Sequence, residues 1–285
     1  MTGRHKGFTL IELIVVMVVT GILAGVLVVF FRPAISSYMD VVNRAELTDQ
    51  ADIAMRTMLR DIRLAVPNSF RSPHPNCFEV IPTSTGGRYR ADVDTVNAGS
   101  LAVDHSTAIQ SFDVLTNFRT LPSQDDWIVA ATENTSDVYT ANVNKAQIDS
   151  ILTPVPPSPL YKHRVQLKTP LQFPEGYGGS RFVVVPDNQK AVFYACANVG
   201  TTNGNGTGIL YRYSNYGFNQ NAFNNCAPGL PTPPIVARGI SSCQITLNPN
   251  PGAIQGAGYV EVRLGFTANN ETVNLTFGAH TDNLP

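Results

Sequence analysis

The chain has 285 residues, 14% of them charged, and a formal net charge of −1 at pH 7. Near-neutrality argues against an electrostatic footprint for nucleic acid. The length suits one large domain or two small ones, and the abundance of Asn, Thr, Ser, Gly and Pro suits a β-rich, loop-rich body outside the cytoplasm.

A short basic leader, residues 1–6, carries Arg4 and Lys6. Gly7-Phe8-Thr9-Leu10-Ile11-Glu12-Leu13 follows and runs into an apolar stretch that ends near Phe31, with Glu12 as its one charge. A helix rises about 1.5 Å per residue, so roughly two dozen residues cross a hydrocarbon core of about 30 Å. A carboxylate at the centre of such a span costs about 2.5–3.5 kcal/mol. Near the end of the span the cost is smaller, but the charge still calls for a partner. A cut after Gly7 would supply one. Phe8 would then carry a new α-amino group, largely protonated at neutral pH. That cation lies one helical turn from Glu12, or within reach of Glu12 in a neighbouring copy. An ordinary secretory signal fits poorly, because its apolar region is shorter and its cleavage site follows that region. No A-x-A site follows the apolar run here.

Lys6-Gly7-Phe8-Thr9-Leu10-Ile11-Glu12 resembles the class III signal of type IV pilins and type II secretion pseudopilins. The resemblance implies cleavage between Gly7 and Phe8 by a prepilin peptidase on the cytoplasmic side, with N-methylation of Phe8. It implies that Glu12 pairs with the N-terminal amine of an adjacent subunit during assembly. The partners it implies are other minor pilins, the major pilin and an inner-membrane assembly platform. It also implies a single-pass inner-membrane protein with a periplasmic C-terminal domain, later part of a pilus at the cell surface.

Within the span, Gly21 and Gly25 form a G-x-x-x-G pair that lets helices approach closely; glycine is also common in membrane helices for other reasons. Pro33 removes an amide donor and predicts a kink where the helix leaves the bilayer. Residues 35–66 continue the helix in water. Leu47, Ala51, Met55, Met58, Ile62 and Ala65 recur in steps of three and four and predict one buried face. Arg44, Asp49, Asp52, Arg56, Arg60 and Arg63 read as the solvated remainder, with Asp52 and Arg56 as an i,i+4 pair. Pro67 requires the helix to stop before it.

The period then changes. Short strands are expected at residues 77–81, 127–131, 181–185, 190–196, 208–213, 241–247, 259–267 and 272–277. The last two form a half-buried hairpin that turns at Ala268-Asn269-Asn270-Glu271. Pro186-Asp187-Asn188 is a second turn. The proline clusters at residues 154–159 and 228–234 read as ordered loops or stiff connectors. The glycine-rich stretch at residues 201–208 reads as a flexible surface turn, not a phosphate loop, since no helix follows it. Residues 85–180 are the least legible and would hold extra strands or an insertion.

No residue pattern supports catalysis. His74, His105, His163 and His280 lie far apart, and no nucleophile, zinc-protease or paired-carboxylate signature occurs. Asp92, Asp94, Asp125 and Asp126 lack a full oxygen-ligand loop and read as solvated carboxylates. No cofactor or metal is expected. Trp127, Tyr161, Tyr177 and Tyr216 offer stacking surfaces for a glycan, although core packing accounts for most such residues.

The expected fold is α+β, with a long N-terminal helix packed on a C-terminal antiparallel β-sheet domain. The expected divisions are a leader at residues 1–7, a pilin helix at 8–66 with its membrane part at 8–31, and a β-rich globular domain at 67–285. The soluble part is larger than that of a typical major pilin, which fits a filament end better than a stacked shaft.

A narrower resemblance rests on scattered patches. Arg60-Asp61-Ile62-Arg63, Val66-Pro67-Asn68-Ser69, Gly86-Gly87-Arg88-Tyr89-Arg90, Tyr194-x-Cys196 and Leu210-Tyr211-Arg212-Tyr213-Ser214 resemble the minor pseudopilins of the mannose-sensitive haemagglutinin (MSHA) pilus system. So do Ser242-Cys243, Val262-Arg263-Leu264, Glu271-x-Val273 and the ending Asp282-Asn283-Leu284-Pro285. Residues 95–180 and 215–235, with the asparagine-rich 219–225, depart from it. The function implied is a minor pilin that primes pilus assembly or caps the tip. The alternatives are a tip adhesin that binds a glycan or surface, and a type II secretion pseudopilin.

All four cysteines (Cys77, Cys196, Cys226, Cys243) follow the span, an arrangement that predicts two disulfides in an oxidising compartment. Proximity in sequence favours Cys196 with Cys226. The MSHA resemblance implies Cys196 with Cys243, which leaves Cys77 with Cys226.

Overall fold

The computed structural model describes residues 7–130, 132, 134–140, 143–174, 179–231, 233–248 and 258–281. The leader residues 1–6, Ala131, Tyr177 and the ending 282–285 lie outside them. One helix, α1 (Leu10–Arg63), opens the fold. Fifteen strands follow, numbered in chain order. They are β1 (Arg71–His74), β2 (Cys77–Val80), β3 (Thr85–Arg88), β4 (Ile109–Val114), β5 (Trp127–Val129), β6 (Lys145–Leu152), β7 (His163–Leu171), β8 (Arg181–Val185), β9 (Val192–Ala197), β10 (Thr201–Thr202), β11 (Asn205–Gly206), β12 (Gly208–Tyr213), β13 (Ile235–Asn248), β14 (Gly258–Ala268) and β15 (Glu271–Thr281). A short helix, α2 (Thr135–Tyr139), lies between β5 and β6.

α1 has two characters. As far as Phe31 it is apolar on all sides but for Glu12, and its side chains are exposed through Val42. It is the one described helix long and apolar enough to cross a membrane. The helix runs through Pro33, which withholds the backbone donor that Val29 would otherwise receive. Its second half buries Leu47, Ala51, Ala54, Met55, Met58, Leu59 and Ile62. Ala54 and Leu59 widen the expected stripe, and Ala65 is only half-buried. The helix ends at Arg63, three residues earlier than expected, because the next backbone groups are already in use. Ala65 bridges Pro82, and the Val66 amide donates to Ile81 O at 2.8 Å.

That stripe lies on a seven-stranded antiparallel sheet in the order β1-β2-β9-β12-β13-β14-β15. α1 lies chiefly over β15, then over β14 and β13. Val260, Val262, Leu264 and Phe266 of β14 face it and are at most 1% exposed. The expected hairpin is present, from Gly258↔Thr281 to Ala268↔Glu271 without a register shift. Asn269 and Asn270 turn it with φ of 52° and 64°, the left-handed pair that matches strand twist. The strand expected at residues 241–247 runs longer, as Ile235–Asn248.

Residues 85–185 form a second body. Their six strands pair in the order β3-β8-β5-β6-β7-β4, and the sheet curls until its outer strands meet. Tyr89 bridges Val114, the Arg90 amide donates to Asp113 O, and the Leu115 amide donates to Arg88 O, both at 2.9 Å. The closed sheet encloses Phe112, Val114, Ile128, Ile148, Val165, Leu167, Phe173, Phe182 and Val184. β2 and β9 pair directly, so the barrel is inserted between two adjacent strands of the first sheet. The turn at Pro186-Asp187-Asn188 therefore joins strands of different sheets, β8 and β9. Val66, Ile81, Val129, Val138, Tyr139, Val185 and Ala191 form the apolar seam between the two bodies.

The glycine-rich stretch at residues 201–208 is not a free surface turn. β10 and β11 pair as a small hairpin that docks on the β14–β15 turn. The Asn270 amide donates to Gly204 O at 2.8 Å, and the Asn269 amide to Asn205 Oδ1 at 3.0 Å. Gly204 has φ of 74°, and a Cβ there would meet the Asn270 side chain at 2.3 Å.

Two disulfides close in the structure. Cys196–Cys243 joins β9 to β13 across β12, with a Cα–Cα distance of 6.5 Å. Cys77–Cys226 ties β2 to the 214–231 loop, with a Cα–Cα distance of 5.4 Å. Tyr213, Tyr216 and Phe223 pack around it on the sheet face away from α1.

The helix stripe predicts a sharp contrast. Met58→Ala, at 1% exposure, is expected to cost about 2–4 kcal/mol of stability in denaturant titration of the full chain in detergent. Ile53→Ala, at 54% exposure, is expected to cost under about 0.5 kcal/mol.

Candidate functional site

The residues singled out at the N-terminus meet at the first turn of α1. Thr9 is the N-cap, with φ −79° and ψ 150°. Its amide and its hydroxyl donate to Glu12 Oε2 at 3.1 and 3.0 Å. The Glu12 amide donates back to Thr9 Oγ1 at 3.4 Å. This is a capping box, in which donors left unpaired by the helix start are satisfied reciprocally. The sequence carries the pattern as Thr9-x-x-Glu12 before an apolar run, and a reading of Glu12 for its charge alone passes over it. Glu12 is thus held in the first turn, three residues from Thr9 and four from Phe8. Phe8 is 84% exposed.

The rest of the span is exposed, with no described residue packed over it. A Cβ placed on Gly7, Gly21 or Gly25 has no atom within 4 Å. The Thr20 hydroxyl turns inward and donates to Val16 O at 2.7 Å, which hides its polarity from a lipid surface. Ser36 does the same to Pro33 O at 2.9 Å.

Residues 2–28 match the prokaryotic N-terminal methylation motif. The chain therefore starts with the prepilin-type signal of type IV pilin-like proteins. No curated protein and no solved structure matches the chain. The methylation motif ends inside the span, so the globular part stands on its own geometry.

What couples that signal to the globular part is a buried polar knot. Asp61 lies on the inner face of α1, 3% exposed. Its Oδ2 accepts from Tyr194 Oη at 2.7 Å and from Arg212 Nε at 2.8 Å. Arg212 Nε also lies 3.0 Å from Tyr194 Oη, and its Nη2 donates to Gln189 Oε1 at 2.6 Å. Burial, and then the Asp61 charge, push the Tyr194 phenol upward, so it stays a donor. The knot links α1, β9 and β12. Its members are far apart in the chain, and their meeting is not legible in the sequence. A second knot lies toward the outer face of the same sheet. Arg71 Nε pairs with Glu79 Oε2 at 2.5 Å and its guanidinium stacks 3.5 Å above the Tyr139 ring. Tyr216 Oη donates to Glu79 Oε1 at 2.8 Å.

The other candidates are used structurally. Trp127 packs edge-on against Phe218 at 5.2 Å and donates to Asp187 Oδ1 at 3.1 Å. Tyr161 lies under the Arg164 guanidinium at 4.3 Å. Asp94 Oδ1 accepts from the Val96 and Asn97 amides at 2.9 and 2.8 Å, and Asp125 pairs with Lys168. His74, His105, His163 and His280 stay apart; His163 Nδ1, for one, lies 2.8 Å from Thr153 Oγ1. Among the described residues no group of three His, Cys, Asp or Glu side chains converges on a metal position.

Removing Asp61 would leave the Arg212 guanidinium in a largely buried site without its counter-charge. Asp61→Ala is expected to cost about 3 kcal/mol. Asp61→Asn keeps an acceptor for Tyr194 and is expected to cost less. Denaturant titration ranks the two, and equal, negligible effects would refute the knot's role in fixing α1.

Proposed function

We propose that this chain is a minor pilin, of the pseudopilin kind, that takes part in priming or capping a type IV pilus. Within that class we read it as a protein similar to the minor pseudopilin MshO of the MSHA pilus, on the scattered sequence patches named above. The observation that carries the reading is the methylation motif on a helix whose apolar half has no partner among the described residues. That half serves first as an inner-membrane anchor and then as the packing surface for neighbouring pilin helices. In this reading a prepilin peptidase cuts between Gly7 and Phe8, and Phe8 is N-methylated. The new ammonium arises one residue before the Thr9 amide that Glu12 already accepts. Glu12 then serves either its own helix start or the amine of the next subunit. Gly21 and Gly25 give neighbouring helices a close approach. The role is structural rather than enzymatic.

A barrel inserted between β2 and β9 adds bulk at the end of the molecule remote from the span. This supports a place at the filament end, where nothing stacks above it. The same barrel supports a second reading, a tip adhesin that holds a glycan or surface through loops in residues 95–180 or 200–235. A type II secretion pseudopilin is the third, on the signal alone.

Deletion of the gene in its host is expected to abolish surface pili counted by electron microscopy. Wild type restores them and Glu12→Ala does not, although the variant still enters the membrane fraction. Normal piliation with Glu12→Ala would remove the assembly role of that residue. Undiminished pili in the deletion strain, with lost adhesion or lost secretion, would favour the second or third reading.

A further inference from the structure

The two bodies treat their sheet edges differently. The barrel's outer strands meet each other. The seven-stranded sheet ends on β1 at one side and on β15 at the other. β1 is a blunted edge: four residues, Pro73 among them, with a register irregularity against β2. β15 is the reverse. It is 11 residues long, pairs with β14 without a bulge, and contains no proline or lysine. Among the described residues no strand pairs with its outer side. Natural sheets blunt such an edge unless something covers it.

The side chains agree. Val273, Leu275 and Phe277 point to the α1 side, like their β14 neighbours. Those neighbours are at most 1% exposed, whereas the β15 row is only half-buried. At its first residue, Glu271, the strand meets a groove along the outer side of α1. The groove is lined by Val41, Ala45 and Thr48 of the helix, and by Asp40, Asp49, Asp52 and Glu271 against the single cation Arg44. Arg44 is already paired with Glu271 at 2.8 Å, and Asp52 with Arg56.

We propose that the outer edge of β15 and this groove receive a β-strand from a different, co-assembling chain. The strand alternates apolar and polar side chains and carries a lysine or arginine at the end that lies beside Asp40 and Asp49. Its backbone pairs with β15, and its apolar side chains cover Val273, Leu275 and Phe277 under the flank of α1. Strand addition of this kind draws affinity from main-chain hydrogen bonds and specificity from alternate side chains. A second copy is disfavoured on geometry. Antiparallel pairing of β15 with itself places a two-fold axis normal to the sheet. That axis reverses every direction parallel to the sheet, α1 included, so the two spans would point opposite ways. Here the inference rests on the reading of α1 as a membrane anchor. Head-to-tail addition of identical copies would need β1, which is too short and too irregular to pair along β15.

The test uses the full chain in detergent and a synthetic peptide of β15's length, 11 residues, made of alternating valine and threonine with a lysine at each end, so that one cation lies beside Asp40 and Asp49 in either strand direction. Amide hydrogen exchange is read across the chain. The peptide is expected to slow the outward amides of β15 by about tenfold or more at saturation. The same peptide with glutamate at each end is expected to bind more weakly, and Asp40→Lys with Asp49→Lys to reverse that order. No protection in β15 would overturn the proposal. So would equal protection by a peptide with proline at alternate positions, or β15 protection that rises with protein concentration when no peptide is present. Pilus counts in the deletion strain are independent of this readout. Undiminished pili would remove the assembly reading, while peptide protection of β15 would still uphold the edge site.

Discussion

One helix has to satisfy two solvents. The first half of α1 is apolar on every side and the second half on one stripe only, and a continuous hydrogen-bonded backbone joins them. A helix that is apolar all round must be buried in something. No described part of the chain covers residues 10–42, whereas residues 47–62 are sealed against the sheet. The globular part therefore has to grip one half firmly and leave the other free. Most of the tertiary structure follows from that division of labour.

The grip is apolar and polar at once. Burial of Leu47, Met55, Met58, Leu59 and Ile62 contributes on the order of 1.5–3 kcal/mol each, but apolar contact tolerates sliding. The Asp61–Tyr194–Arg212 knot adds direction, because a buried carboxylate with two matched donors loses them if α1 moves by one residue. On the other face the Arg71–Glu79–Tyr216 cluster and the Cys77–Cys226 disulfide pin the 214–231 loop over β2 and β9. Lys145 closes α2 by donating from a buried Nζ to the carbonyls of Asp137, Val138, Thr140 and Val143. These buried charges sit where the barrel, the sheet and the helix are fastened together.

The barrel and the sheet also handle unpaired backbone differently. The barrel satisfies its edges internally, which suits a body that stands clear of its neighbours. The sheet leaves β15 open next to α1, whose apolar half no described residue covers. In the proposed assembly the open edge and the uncovered helix offer partners a surface polar in its backbone and apolar in its side chains.

By itself the sequence determined whatever depends on local pattern. The unbroken apolar run set the span, and steps of three and four marked most of the buried stripe. Alternation set β14 and β15, with Asn269-Asn270 between them, and residues 2–28 carried the methylation motif, with the capping box of Thr9 and Glu12 inside it. Each of these acts within a turn or two of backbone, so neighbours in sequence suffice. The tertiary structure alone decided the rest. Residues 85–180 gave little signal beyond the strand expected at 127–131, because their strands pair at long range and only closure makes them a barrel. The docking of residues 201–208 required the turn at Asn270 to be in place. Cys196 found Cys243 rather than the nearer Cys226 because strand order, not chain distance, sets which side chains meet. Asp61, Tyr194 and Arg212 are far apart in the chain and ordinary in composition. They become a knot only when burial removes water and leaves each as the other's partner.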